Sequence, residues 1–317
     1  MSVIYELAGQ MTLQSSLLHN GGETYGISSK LRREKFVQPD GSVEDVPVVS
    51  GNSIRGRLRD LGMAHCCRAL GYGVSEDGGS VRGLSLPAFY FLFSGGALTA
   101  SDGGKALDLA YARTLRELIP LVGLFGGAVG NQILPGKLTV GKAYPICRET
   151  QHLLPAPYQR DQPVSIWAYV QEEMYTRKDD EKDEHKRALL DGHTQQLLLA
   201  GASKQGLTDA GPQQMRYYVE TFAAGTPFYW SIDVTDPTDL EFEALLACLA
   251  EFSKQPFLGG RSAAGHGRVS LTLDRWLRID SRAATESTAV DRPLGTKYHQ
   301  HLAQRSDEIR ALLAEMH

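Results

Sequence analysis

Cysteine is scarce: the chain has four in 317 residues, and none belongs to a CxxC pair. Adjacent Cys66 and Cys67 are poorly placed to bridge each other. His65 beside them does not complete a metal cluster, because consecutive helical residues point in different directions. This usage excludes a disulfide framework and predicts helix packing for these thiols, with no bound metal and no cofactor. Long apolar runs are also missing, since no window holds the roughly 18 uninterrupted apolar residues of a membrane span. The opening MSVIYELAGQ lacks the basic-then-apolar pattern of a signal peptide, which predicts a cytoplasmic protein away from membranes. Neither charge sign dominates, with 33 basic and 37 acidic side chains and a net charge of −4. That excludes a chain that is basic throughout. It leaves room for a nucleic-acid site, because binding depends on where charge is concentrated. The catalytic signatures GxSxG and HExxH are absent, and so is the GKS or GKT of a phosphate-binding loop.

What is present is an even composition, 42% hydrophobic and 22% charged, enough for a packed core and unlike disordered or low-complexity chains. Val3, Tyr5, Leu7, Met11 and Leu13 predict a strand over residues 3–18, ended by the turn signal His19-Asn20-Gly21-Gly22. Residues 22–46 read as polar and irregular, with a turn at Pro39-Asp40-Gly41. Pro47-Val48-Val49 leads into Ser50-Gly51-Asn52-Ser53 and a helix. On it Ile54, Leu58, Leu61 and His65 recur at three- and four-residue steps, with Ser50, Asn52 or Ser53 as N-cap.

A glycine-rich loop over 71–83 precedes a second helix at about 105–122, with Leu107, Tyr111, Leu115 and Leu118 on one face. Phe125-Gly126-Gly127 interrupts it, and 138–144 reads as a strand. Residues 151–215 differ in character, with prolines at 155, 157 and 163 and a run over 177–187 whose five acids and five bases cancel. That run is expected to be a solvated tip. Residues 215–221 and 228–234 flank Ala224-Gly225-Thr226 and predict a β-hairpin. Thr238-Asp239-Leu240-Glu241 is a capping box opening a third helix, with Leu245, Leu249 and Phe252 inward. A glycine-rich element then leads into a strand through Val269, Leu271 and Leu273. From Ser281 a polar linker precedes a terminal helix bearing Leu302, Ile309 and Leu312. The order predicts an antiparallel α+β sheet with helices on one face.

The segment Ser50 to Arg59 is the most informative for function. A helix start after a small-residue turn offers backbone N–H groups and a partial positive charge, a natural seat for phosphate. Arg55 and Arg59, four apart, share a face that the apolar ladder leaves free. Two guanidinium groups beside such a nest suit a phosphodiester strand. Gly259 and Gly260 permit close backbone approach, with Arg261, His266 and Arg268 as donors. Between Lys30 and Arg68 there are eight basic and five acidic residues, with Lys30, Arg32, Arg33 and Lys35 clustered. This is a local positive region in an otherwise acidic chain.

In their order along the chain, these pieces resemble the CRISPR-associated RAMP superfamily, and within it the backbone subunits that coat the guide RNA. The matching segments are His19-Asn20-Gly21-Gly22, the run from Pro47 to Arg59, Leu124-Phe125-Gly126-Gly127, Tyr217-Tyr218-Val219-Glu220 before Ala224-Gly225-Thr226-Pro227-Phe228, and Leu258-Gly259-Gly260-Arg261 through Gly267-Arg268. His19 to Glu23 with Arg32-Arg33-Glu34-Lys35 is most similar to the backbone subunit of type IV effectors. The resemblance implies a modified RNA-recognition-like (ferredoxin-like) palm within a single domain over 1–280. It also implies finger-like residues in 64–104, a β-hairpin thumb in 151–215, and 281–317 as linker and C-terminal helix.

The same resemblance implies copies polymerising along guide RNA beside other effector subunits, with target nucleic acid recruited by base pairing. The expected RNA-binding residues are His19, Asn20, Gly21, Gly22, the basic cluster, Ser50, Gly51, Asn52, Ser53, Arg55, Arg59 and the glycine-rich turn. Type III relatives carry a cleavage-associated aspartate in the loop after the first strand, where this chain has Gly26-Ile27-Ser28-Ser29-Lys30-Leu31. Binding without catalysis is therefore expected. Two alternatives stand beside it: a target-cleaving RNase using Asp40 or Asp45 with a metal, and a guide-processing endonuclease with His19 or His266 as general base.

Overall fold

The computed structural model describes residues 3–25, 28–73, 81–96, 109–129, 132–177, 215–280, 287–289 and 296–316. The chain begins with strands β1 (Val3–Leu13), β2 (Asn20–Tyr25), β3 (Ser28–Leu31), β4 (Arg33–Val37) and β5 (Val43–Pro47). Helices α1 (Gly51–Ala69), α2 (Leu86–Ser94), α3 (Leu109–Leu118) and α4 (Pro120–Phe125) follow. Next come β6 (Gly127–Val129), β7 (Gln132–Leu134), β8 (Leu138–Val140), β9 (Tyr144–Pro145), β10 (Val170–Arg177), β11 (Met215–Phe222) and β12 (Pro227–Thr235). The chain closes with α5 (Asp239–Lys254), β13 (Val269–Asp280), β14 (Ser287–Ala289), α6 (Thr296–Gln304) and α7 (Ser306–Ala314).

The main sheet runs β14-β13-β1-β12-β8, antiparallel throughout, with β9 also on β12. Strict alternation in β12 buries Phe228, Trp230, Ile232 and Val234. These join Leu7 and Met11 of β1, Leu58 of α1 and Leu245 of α5 in one apolar cluster. Helix α1 packs on α5, and both receive α6, whose Tyr298 and Leu302 are buried. The tail therefore packs on its own chain. Cys66, Cys67 and Cys248 are buried free thiols within this layer. Burial pushes the Cys66 thiol up to about 12 and Cys67 to about 11, which leaves both protonated and inert. No helix among the described residues is long and apolar enough to cross a membrane.

A second sheet runs β10-β11-β3-β2, in which β11 pairs parallel with β3. This corrects two expectations. Residues 22–46 are not irregular, because β2 to β5 occupy most of them. Strands β3 to β5 bury few apolar side chains, such as Leu31, Phe36 and Val46, so polarity hides the alternation. The predicted hairpin is also wrong, since β11 pairs in the second sheet and β12 in the first. The connection at Ala223–Thr226 is a corner between sheets, closed by Thr226 N–H on Ala223 O (3.3 Å) and Gly225 N–H on Leu13 O (2.8 Å).

Smaller differences have local causes. The predicted second helix is two, parted at Ile119 because Pro120 lacks an amide donor and restricts its predecessor. Residues 105–108 lie outside the described residues. The strand over 3–18 stops at Leu13, leaving Leu17 and Leu18 as isolated bridges. The strand over 138–144 is broken into β8 and β9. The tail carries two helices rather than one. The capping box forms as expected, with Glu241 N–H on Thr238 Oγ1 (3.1 Å) and Thr238 N–H on Glu241 Oε2 (2.8 Å). The charge run after Arg177 and the part of 151–215 over 178–214 lie outside the described residues.

Candidate nucleic-acid interface

The basic cluster is built into strands that wall a cleft. Lys30, Arg32, Arg33 and Lys35, with Gly21, Leu31, Glu34 and Asp45, line a space of ≈ 680 Å³. Glu220 of β11, only 6% exposed, organises it. One carboxylate oxygen accepts from Leu31 N–H at 3.0 Å. The other accepts from Arg33 Nη2 at 2.6 Å and stands 3.8 Å from Lys30 Nζ. A carboxylate taken out of water needs such partners, so Glu220 fixes where both cations stand. Lys30 also lies 3.8 Å from Glu172, and the Arg33 guanidinium lies 5.0 Å from the Trp167 ring centre. Arg32 and Lys35 are exposed, and neither has an ion pair among the described residues. Lys35 faces Asp45 across the β4–β5 pair.

The neighbouring turn is tied to the start of α1. Ser50 N–H donates to His19 Nε2 at 3.1 Å, and Arg32 N–H donates to His19 O at 2.8 Å. Burial first, and then the Arg32 charge, lower the His19 pKa, so the ring stays neutral with its proton on Nδ1. Asn20 donates to Ser29 Oγ at 2.5 Å, and Gly22 is exposed. Ser50 is the N-cap and accepts from Ser53 N–H at 3.2 Å. Gly51 sits so close to β8 that a Cβ there would stand 2.3 Å from Val140 O. Asn52 is exposed and Ser53 half-buried, so the surface part of this helix start is confined to them.

Arg55 and Arg59 do share a face, but it is not free. Helix α4 ends against it, and its terminal carbonyls lack intrahelical donors. Arg59 Nη2 donates to Phe125 O and Gly126 O, both at 2.7 Å, and Arg55 donates to Phe125 O. Burial, then the nearby Arg55, push Arg59 down to about 10, so it remains charged at neutral pH. Spacing placed the two arginines together; it carried no information about the element that covers them.

The close approach of the glycine-rich turn is also to its own chain. Gly259 has φ +72°, and a Cβ there would lie 2.3 Å from Leu18 O, while Gly260 N–H donates to Leu18 O at 2.9 Å. Arg261 extends over the Tyr217 and Tyr175 rings, 4.6 and 5.1 Å from their centres, and donates to Tyr217 OH at 2.9 Å. His266 is buried between Ser16 Oγ, 3.0 Å from Nδ1, and the Tyr175 hydroxyl on Nε2. Exposed Arg268 lines a separate cleft of ≈ 530 Å³ with Gln14 and Phe252.

Of the expected residues, the main cleft thus gathers Gly21, Lys30, Arg32, Arg33 and Lys35, and not Arg55, Arg59 or Arg268. Asp40 holds its own turn, accepting from Ser42 N–H (2.9 Å) and Oγ (2.7 Å). Among the described residues no three His, Cys, Asp or Glu side chains converge on a metal position. Sequence reasoning missed Glu220 and Trp167 as organisers. The signal for Glu220 was an acid following the aromatic and apolar run Tyr217-Tyr218-Val219; Trp167 offered none.

No protein-family model and no curated protein matches the chain. Its fold is similar to that of a chain in a solved structure titled "Type IV-B CRISPR Complex", at 24% identity, with a TM-score of 0.53 over 95% of this chain and 98% of that one.

Proposed function

We propose that this chain is a non-catalytic, RNA-binding backbone subunit of a type IV CRISPR ribonucleoprotein. Copies line up along the guide RNA, hold its phosphates and leave base edges free for target pairing. The main sheet with its helices acts as the palm, and β10–β11 belongs to the thumb. The single observation that carries the reading is the basic cleft: two cations anchored on buried Glu220 beside two exposed cations that have no ion pair among the described residues. A guide of arbitrary sequence is gripped through phosphate and sugar, which calls for fixed positive charge and few base-reading side chains. The fold likeness, spanning nearly the whole of both chains, supports the same reading.

The revised site centres on Arg32, Lys35, Lys30 and Arg33, with Gly21, Gly22, Asn52, Ser53 and Arg261 at its margins. His19, Ser50, Gly51, Arg55, Arg59, Gly259, Gly260 and His266 shape the surfaces from which these residues project. Filter binding of single-stranded RNA by the Arg32→Ala/Lys35→Ala variant tests it. Affinity should fall for all sequences alike, and the slope of log affinity against log salt should shrink by about 1–2. Wild-type affinity and slope in that variant would remove the site.

A further inference from the structure

His65 of α1 and His299 of α6 bring their Nε2 atoms to 3.1 Å, with ring planes at 84°. Behind His65, Glu251 of α5 lies 3.2 Å from Nδ1 and is itself held by Arg68 (3.1 Å) and Lys254 (2.6 Å). A carboxylate on Nδ1 keeps the ring proton there and leaves the Nε2 lone pair directed at His299. Histidine ligands of metal ions are oriented in this way. Two imidazole nitrogens each about 2.0–2.1 Å from one ion stand about 2.9 Å apart at a right angle and about 3.4 Å apart at the tetrahedral angle. The observed 3.1 Å lies inside that interval. His299 is exposed and the His65 side chain retains 18% exposure, so an ion reaches the pair without opening the core.

We propose that His65 and His299 form a bidentate site for a divalent transition ion of the zinc, nickel or copper class, with Glu251 as the orienting carboxylate. Waters complete the coordination. His301 is engaged with Leu118 O at 3.0 Å, and Cys66 is turned into the core. The ion bridges α1 and α6 and fastens the C-terminal helices to the helical layer. Arg68 and Lys254 leave local charge that opposes a cation and weakens its binding.

Untagged, chelator-treated full-length protein should be titrated calorimetrically with nickel chloride and with zinc chloride, beside His299→Gln and His301→Gln. Wild type and His301→Gln should bind one equivalent and gain a few degrees in unfolding midpoint at saturation. His299→Gln should keep the metal-free midpoint and lose at least tenfold in affinity together with the metal-dependent gain. Equal affinity in His299→Gln, an equal loss in His301→Gln, or no saturable binding by wild type at about 1 mM free metal would overturn the proposal.

Discussion

Glu220 shows how one side chain decides what its neighbours do. Lys30 and Arg33 are gathered because a buried acid in β11 needs them; Arg32 and Lys35, beside them, have no such partner among the described residues. Arg59 illustrates the opposite case, a cation committed to the carbonyls at the end of α4. Arg59→Ala should therefore act on folding, losing about 1–3 kcal/mol in denaturant unfolding because Gly126 O loses its Arg59 donor and Phe125 O is left with Arg55. A second residue-scale test comes from Glu173. Burial raises its pKa, but hydrogen bonds from Ser16, Tyr175, Thr221 and Gln171 outweigh it and bring the carboxyl from 4.5 to about 2. A depressed folded pKa adds stability that is complete above the unfolded value and fades as the folded value is approached. Acid unfolding of wild type should steepen as pH falls from 4.5 towards 2, and Glu173→Gln should flatten that stretch.

At the scale of elements, capping chemistry was the most legible part of the sequence. Thr238 and Glu241 form the box their spacing announces, and Ser50 caps α1. Thr238→Ala should cost about 1 kcal/mol, read as a lower denaturant midpoint at unchanged slope. Glu241→Ala should cost more, since this buried acid also pairs with Lys137 at 2.6 Å. Strand pairing was less legible. The alternation in β12 was clear, but a four-residue connection looks the same whether it folds a hairpin or turns a corner between sheets. Strands β3 to β5 read as loop because each buries so few apolar side chains. The cleft suffered in turn: its basic residues were visible as composition, while Glu220 acts from 187 to 190 positions away in sequence, beyond any local pattern.

For the whole molecule, the two sheets meet at the Ala223–Thr226 corner, and the second sheet joins β3, with its basic residues, to the acid of β11. The net charge of −4 coexists with a local cationic cleft because the acidic excess lies outside residues 30–68, where 32 acidic side chains stand against 25 basic ones. A subunit of this kind should leave the cell carrying RNA and elute as a large particle. The direct test is size-exclusion chromatography of purified protein with absorbance read at 260 and 280 nm, before and after RNase, for wild type and Arg32→Ala/Lys35→Ala. Wild type should elute as a nucleic-acid-rich assembly that shrinks on RNase treatment, and the variant should elute small and free of RNA. A wild-type particle of monomer size, with a protein-only absorbance ratio and no response to RNase, would contradict the account.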